Sequence, residues 1–371
     1  MVYRAIGLMS GSSLDGLDIA FVEFQEQGGK WSYEILQADC YAYTNEWIAK
    51  LRDAINLSAR DYQLLHAEYG HYTGQQINKF IEAHQLHYKV AVIASHGHTT
   101  FHIPEKKMTA QLGEGAAIAA ETLLPVVTDL RAIDVAFGGQ GAPIVPIGEK
   151  MLLGDYNFFL NLGGIANISH RDPDKYSAFD ICPANRVLNM LVNELGAAYD
   201  EGGQIAASGT INEALLEKLN LLEYYKLPYP KSLANDFGTD IVYPLIKNEG
   251  IEIKDAVRTY VEHIVHQISE AVSTFANPKL HPHNSAGTSL KLLATGGGAF
   301  NTFLIRQLSE RLKKMSIEVM VPDEKLVNFK EALVMAFIGV LRWRQEYNVL
   351  SSVTGATRDS IGGALWTGQE A

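Results

Sequence analysis

Cysteine is almost missing from this chain: Cys40 and Cys182 are the only two in 371 residues. Two thiols exclude a disulfide framework or a multi-cysteine zinc cluster and suit a reducing compartment, so a cytoplasmic location is expected. Positive charge is also scarce. The 31 Lys and Arg stand against 42 Asp and Glu, a net charge of −11. Such a chain lacks the basic face that nucleic acid or an anionic membrane needs, and neither is expected as a partner. No apolar run approaches the ~20 residues of a membrane span. Met1-Val2-Tyr3-Arg4 leads straight into a strand pattern, without the n-region and h-region of a signal peptide. Two nucleotide signatures are absent as well. There is no G-x-x-x-x-G-K-S/T, and no G-x-G-x-x-G follows the first strand pattern, which argues against a P-loop nucleotidase and a Rossmann dehydrogenase. A phosphate ligand must then be held locally, by backbone amides, a metal ion and a few placed cations.

What is present is an ordinary globular composition, 47% hydrophobic and 20% charged, in a chain long enough for two domains. The most informative segment runs from Ile6 to Ala20, where apolar residues flank a turn made of Gly11, Ser12, Ser13, Leu14, Asp15, Gly16, Leu17 and Asp18. A β-hairpin with that tip presents amides and hydroxyls to an anion and two carboxylates to a hydrated Mg²⁺. The plain alternative is a hairpin whose Gly, Ser and Asp only satisfy the turn, and one of Asp15 and Asp18 can serve that purpose alone.

The patterning alternates strands and helices. Tyr3–Leu8, Gly16–Phe24 and Trp31–Tyr43 read as strands, residues 46–59 and 61–85 as helices with Ser58 or Asp61 as cap, and Val90–Ala94 as a buried parallel strand. Residues 137–146, rich in Gly and Pro, suit a hinge between domains. Phe158–Ser169 then repeats the opening pattern, with Gly163 and Gly164 at its turn, and duplicated units imply two related halves facing a cleft. Ser177–Phe179 reads as a strand ending at Asp180, with Pro183 suited to the first turn of the next helix. Residues 278–289, with His281 and His283, read as an exposed loop rather than a metal site. A strand at Leu290–Thr295 runs into Gly296-Gly297-Gly298, where backbone can approach a flat ligand, and a helix starts near Thr302. The last helices are expected at Lys330–Tyr347 and, as a short piece, Ser360–Thr367.

Several side chains are candidates for chemistry. Asp180 can act as general base on a water or a sugar hydroxyl, or merely close an Asx turn or helix cap. His96 and Arg131 each follow a strand, where ligands of α/β sheets collect; His96 can equally be structural, and Arg131 a surface cation or a partner of Asp134. Glu331 opens a helix, where a carboxylate is stabilising by default.

Together, Gly7–Asp18, Ser95-His96-Gly97, Asp129-Leu130-Arg131, residues 138–143, Asn161–Asn167, Asp180, Ala207-Ser208-Gly209, Pro230-Lys231-Ser232, Gly296–Gly298 and Ser352–Gly355 resemble the anhydro-N-acetylmuramic acid kinases, in the sugar kinase–actin–heat-shock-chaperone superfold. The resemblance runs nearly end to end. It implies an α/β protein of two related ribonuclease-H-like (actin-like ATPase) domains around a nucleotide and sugar cleft. The boundaries expected are 1–135 with 350–371, and 136–349. It implies ATP and Mg²⁺, a small anhydro-amino-sugar as substrate and a homodimer. The hairpin Gly11–Asp18, with Gly163 and Gly164, would hold phosphates, and Gly296, Gly297 and Gly298 would lie near the adenosine. Asp180 takes the position of the general base, Glu331 that of a second active-site carboxylate, and His96 and Arg131 those of sugar contacts. The family opens the 1,6-anhydro ring with water and phosphorylates the released O6, a step of cell-wall recycling.

Two departures stand out. The family's Gly-Thr-Ser is Gly11-Ser12-Ser13 here, which keeps a hydroxyl. Its Asp-Thr-Gly-Pro-Gly-Asn is Asp180-Ile181-Cys182-Pro183-Ala184-Asn185, which places larger residues where sugar and water are expected. Two alternatives remain: a kinase of another amino sugar by direct phosphoryl transfer, and a nucleotide-gated ATPase with no sugar site.

Overall fold

The computed structural model describes residues 1–11, 13–171, 176–228, 231–234, 236–276 and 290–368. Ser12, Pro230 and the loop expected at 278–289 lie outside them. The chain divides into two compact units, Met1–Gly154 with Phe329–Ala371, and Asp155–Asn328. The first is built on β1 (Val2–Ser10), β2 (Gly16–Gln27), β3 (Lys30–Ala42), β4 (Val92–Ile103), β5 (Met108–Leu112) and β6 (Val126–Thr128). The second contains β7 (Phe158–Leu162), β8 (Ile165–Arg171), β9 (Tyr176–Pro183), β10 (Leu290–Thr295) and β11 (Ile317–Met320). The last strand, β12 (Ala364–Trp366), returns to the first unit.

The two sheets have one topology. In the first, the order is β12-β6-β4-β1-β2-β3, with β5 paired on β4; in the second it is β11-β10-β7-β8-β9. In each, the opening strand pairs antiparallel with the next and parallel with the fourth strand of the common set. This doubled order is that of two related ribonuclease-H-like domains, as expected from the repeated strand–turn–strand pattern.

Alternation along β1 sets the layers of the first unit. Ile6 and Leu8 point into a core shared with Tyr69, Ile77 and Phe80 of the helix Ala59–Ala83. Gly7 points the other way, against the helix Glu324–Trp343: a Cβ there would come within 1.9 Å of the Ala332 carbonyl oxygen. Glycine is therefore needed at Gly7 for helix–strand approach, not for the turn. Ser58 is the cap of the long helix, its hydroxyl accepting from the Asp61 amide at 3.2 Å. In the second unit, the helix Ile253–Ala276 supplies Tyr260, Val261, Ile264 and Ile268 to a core with β7, β9 and β10.

Four expectations differ from the observed fold. Ser360–Thr367 is not helical; Ala364–Trp366 pairs antiparallel with β6, because a sheet edge is available there. Residues 137–146 form no hinge between units: they and the helix Pro146–Leu152 belong to the first unit, where Gly148 lies against Val334. Pro183 is the last residue of β9, and the helix that follows begins at Asn185. The compact units change chain at 154/155 and 328/329, against the 135/136 and 349/350 proposed from sequence. The helix that closes on Gly7 accounts for the second shift.

Candidate active site

The first hairpin ends β1 at Ser10 and starts β2 at Gly16. Asp15 closes the turn, its Oδ1 accepting from the Ser13 hydroxyl at 2.7 Å and the Gly16 amide at 3.0 Å. Asp18 is different. It sits on β2 opposite Cys40, and burial raises its pKa to about 6, with Asp15 and Glu331 adding to the rise. A buried network stands behind Ser10. Its hydroxyl meets His98 Nδ1 at 3.0 Å and accepts from Tyr43, whose OH lies 2.6 Å from that of Tyr69.

The second hairpin has a two-residue tip, Gly163-Gly164, whose carbonyls accept from Asn185 and Ala184. Beside it lies the triple glycine, since Thr295 pairs with Asn161. Gly296 has φ +80° and a Cβ there would meet Asn161 and Leu162, while one at Gly298 would strike Leu162 and Asn185. A Cβ at Gly297 would have only Asn185 within 4 Å among the described residues, at 3.8 Å. Two of the three glycines are thus packing requirements and the middle one faces open space.

Asp180 lies inside β9, not at its end, where the register slips: Asn167 pairs with Asp180 and Ala166 with Cys182. A β-bulge re-aims side chains in this way. The Asp180 amide donates to Lys231, and Tyr224 OH donates to the Asp180 carbonyl at 2.6 Å. Its carboxylate accepts from Leu233 N at 2.9 Å and Ser232 Oγ at 3.2 Å, both on Oδ2. Burial raises its pKa, and these two hydrogen bonds oppose the rise.

In the first unit, the structure brings neutral His96 and the charged Arg131 and Glu331 into one polar cluster. Arg131 Nε donates to His96 Nε2 at 2.8 Å, and Nη1 donates to the Gly141 carbonyl at 3.1 Å. Arg131 does not pair with Asp134, which instead accepts from Gly141 N at 2.7 Å and from Thr354 Oγ1 at 2.7 Å. Glu331 follows a break at Phe329 (φ −117°, ψ 17°) within the helix Glu324–Trp343, so it opens the second helical stretch. Burial raises its pKa, and Lys330 and Arg131 pull it back. Lys330 itself is buried against Glu149 at 3.2 Å.

Sequence reasoning missed Tyr43, Tyr69, His98, Glu149, Lys330, Tyr224 and Leu233 as site residues, and it offered Asp134 only as a partner of Arg131. Lys231 and Ser232, like Gly141 and Thr354, lay within matched segments and so carried a signal. Among the described residues no three or more His, Cys, Asp or Glu gather as direct metal ligands. The expected roles of Asp15 and Asp18 were through water and need no such cluster.

The family described as Anhydro-N-acetylmuramic acid kinase matches residues 3–368. An anhydro-N-acetylmuramic acid kinase of Hydrogenovibrio crunogenus is 34% identical, with 97% of each chain covered. That of Francisella tularensis subsp. novicida is 32% identical, again with 97% of each covered. The chain belongs to the anhydro-N-acetylmuramic acid kinase family. Among solved structures, it is similar to the activator of the 2-hydroxyisocaproyl-CoA dehydratase from Clostridium difficile with bound ADPNP, at 13% identity and a TM-score of 0.41, covering 91% of this chain and 94% of the other.

Where this kinase departs from its family after Asp180, the new side chains turn inward. Ile181, Cys182 and Ala184 are buried in the core of the second unit, and the Pro183 carbonyl accepts from Tyr260 OH at 2.8 Å. The larger residues expected beside sugar and water are core residues here. Among the described residues no helix is long and apolar enough to cross a membrane.

Proposed function

We propose that this kinase uses ATP and water to convert 1,6-anhydro-N-acetylmuramic acid to N-acetylmuramic acid 6-phosphate and ADP, in peptidoglycan recycling. Family membership supports the substrate. The observation that carries the mechanism is the asymmetry of Asp180: among the described residues both hydrogen bonds to its carboxylate fall on Oδ2, leaving Oδ1 to receive a proton. A base anchored by one oxygen is oriented without being quenched.

Asp180 takes a proton from water as the water oxygen attacks the anomeric carbon. The C1–O6 bond breaks and O6 attacks the γ-phosphorus. The bond from that phosphorus to its bridging oxygen breaks, and ADP leaves in line. The hairpin residues Gly11, Ser12, Ser13, Leu14, Asp15, Gly16, Leu17 and Asp18 are assigned to phosphate, with Gly163 and Gly164. Gly296–Gly298 are assigned to the adenosine, where only Gly297 has open space. Arg131 is assigned to the sugar. Glu331 is assigned as the second carboxylate, buried where Lys330 and Arg131 favour its charged form. Asp15 and Asp18 fit a hydrated Mg²⁺, because both are hard oxygen donors and Asp15 commits only Oδ1 to the turn. Bound there, Mg²⁺ would neutralise phosphate charge. A cytoplasmic homodimer belongs to the same proposal.

The test is coupled ADP release with 1,6-anhydro-N-acetylmuramic acid, using N-acetylmuramic acid and N-acetylglucosamine as controls. Stimulation by the anhydro sugar, with stoichiometric 6-phosphate, is expected. Stimulation by a control sugar alone would replace this reading with direct phosphoryl transfer to another amino sugar. ATP hydrolysis indifferent to every sugar would leave a gated ATPase.

A further inference from the structure

We propose that His96 is a positioning residue that aims Arg131, and not itself a sugar contact. The inference rests on the reading of Arg131 as the sugar's cationic partner and revises the role expected for its neighbour. A guanidinium has donors and no acceptor, so the nitrogen that receives Arg131 Nε–H must be unprotonated. That nitrogen is His96 Nε2, at 2.8 Å. The proton of the neutral ring then sits on Nδ1, which lies 2.8 Å from the Gly97 carbonyl and donates to it. Both ring nitrogens are engaged by protein, and none is left for a sugar hydroxyl. His96 is also only 3% exposed.

The partner of Nδ1 is itself set by the backbone. Gly97 has φ +72°, and a Cβ there would come within 2.5 Å of the Leu112 carbonyl oxygen. Only glycine supports that conformation and approach, and it turns the Gly97 carbonyl toward the ring. Arg131 is fixed from a second side. Its Nη1 donates to Gly141 O, and Gly141 is anchored through its amide to Asp134, which is fully buried and held in turn by Thr354. The guanidinium therefore meets two acceptors whose own positions are set by buried groups, an arrangement that presets a charged contact before the ligand arrives.

The groups facing the His96 ring are Arg131, from the end of β6, and His98 on its own strand; Glu331, from the helix, faces Arg131. Burial first, and the Arg131 cation second, lower the His96 pKa to about 3. The ring thus stays a neutral acceptor for Arg131 through the working pH range.

Two measurements test the assignment. In the ¹⁵N-labelled protein without substrate, the His96 ring is expected as the Nδ1–H tautomer, neutral down to about pH 5. An Nε2–H tautomer, or protonation near the usual histidine pKa, would overturn it, whatever the substrate proves to be. The second is a double-mutant cycle on kcat/KM for the anhydro sugar, which the wild type must turn over for the proposed function to stand. His96→Ala is expected to cost about ten-fold or more, the scale of one hydrogen bond to a charged group, with the KM for ATP unchanged. In an Arg131→Ala background the same change is expected to cost less than about two-fold. Losses that multiply instead would make His96 a direct sugar contact. His96→Gln, whose amide can accept from Arg131 and donate to Gly97, is expected to recover most of the activity. It also carries the test if His96→Ala fails to fold.

Discussion

Asp180 shows how much one carboxylate depends on what surrounds its two oxygens. With Oδ2 tied to Leu233 and Ser232, Asp180→Asn can keep its place, since the amide oxygen still accepts from the Leu233 amide. What it loses is the proton acceptor. The expected outcome is a fall in kcat of ~10²–10⁴, with nucleotide binding retained in a calorimetric titration; loss of nucleotide binding would make the residue structural. The pH dependence has a definite sign. The proposed base works ionised, and burial raises its pKa above that of an ordinary aspartate, so kcat is expected to fall as pH drops through that raised value, earlier than for an exposed aspartate. The residue type and its approximate place were legible in the sequence. Its anchoring was not, because Ser232 and Leu233 lie 52 and 53 positions away.

The element that matters most to the first unit is the helical stretch after Phe329. It carries Glu331, packs on Gly7 of β1, and is pinned by Lys330 to Glu149 with both side chains nearly inaccessible. A buried ion pair is weak evidence of net stability, but removing one partner strands the other charge in a poor solvent. Glu149→Gln is expected to destabilise the protein by ~3–5 kcal/mol in urea unfolding, while Lys330→Met with Glu149→Leu together are expected to be near neutral. A single change without effect would mean that the pair does not hold the helix. Periodicity predicted a helix from Lys330 onward. It could not show the stretch Glu324–Asn328 before the break, nor the partner 181 positions upstream. Gly7 belongs to the motif read for phosphate, yet its requirement comes from the helix beneath it.

At the scale of the whole chain, the second unit is an insertion between two pieces of the first. Its five-stranded sheet and its main core lie within residues 155–328. That fragment is expected to fold alone, with a cooperative thermal transition by circular dichroism. Residues 1–154 alone are expected not to, since they lack β12 and the helix that covers Gly7. A cooperative transition from the latter would show that the returning segment is dispensable. The duplicated topology was readable from two strand–glycine–strand patterns, and the family from motifs spread along the chain. Composition, turn chemistry and hydrophobic period are local properties, so the sequence by itself determined the class of fold and the repeat, and it supplied the residues proposed for phosphate and for the base. Tertiary structure alone decided which glycines serve packing and which face open space. It also placed the altered residues after Asp180 in the core, and returned the final segment as an edge strand. These outcomes depend on which distant residues meet, as His96 meets Arg131 across 35 positions, and no local pattern encodes that encounter.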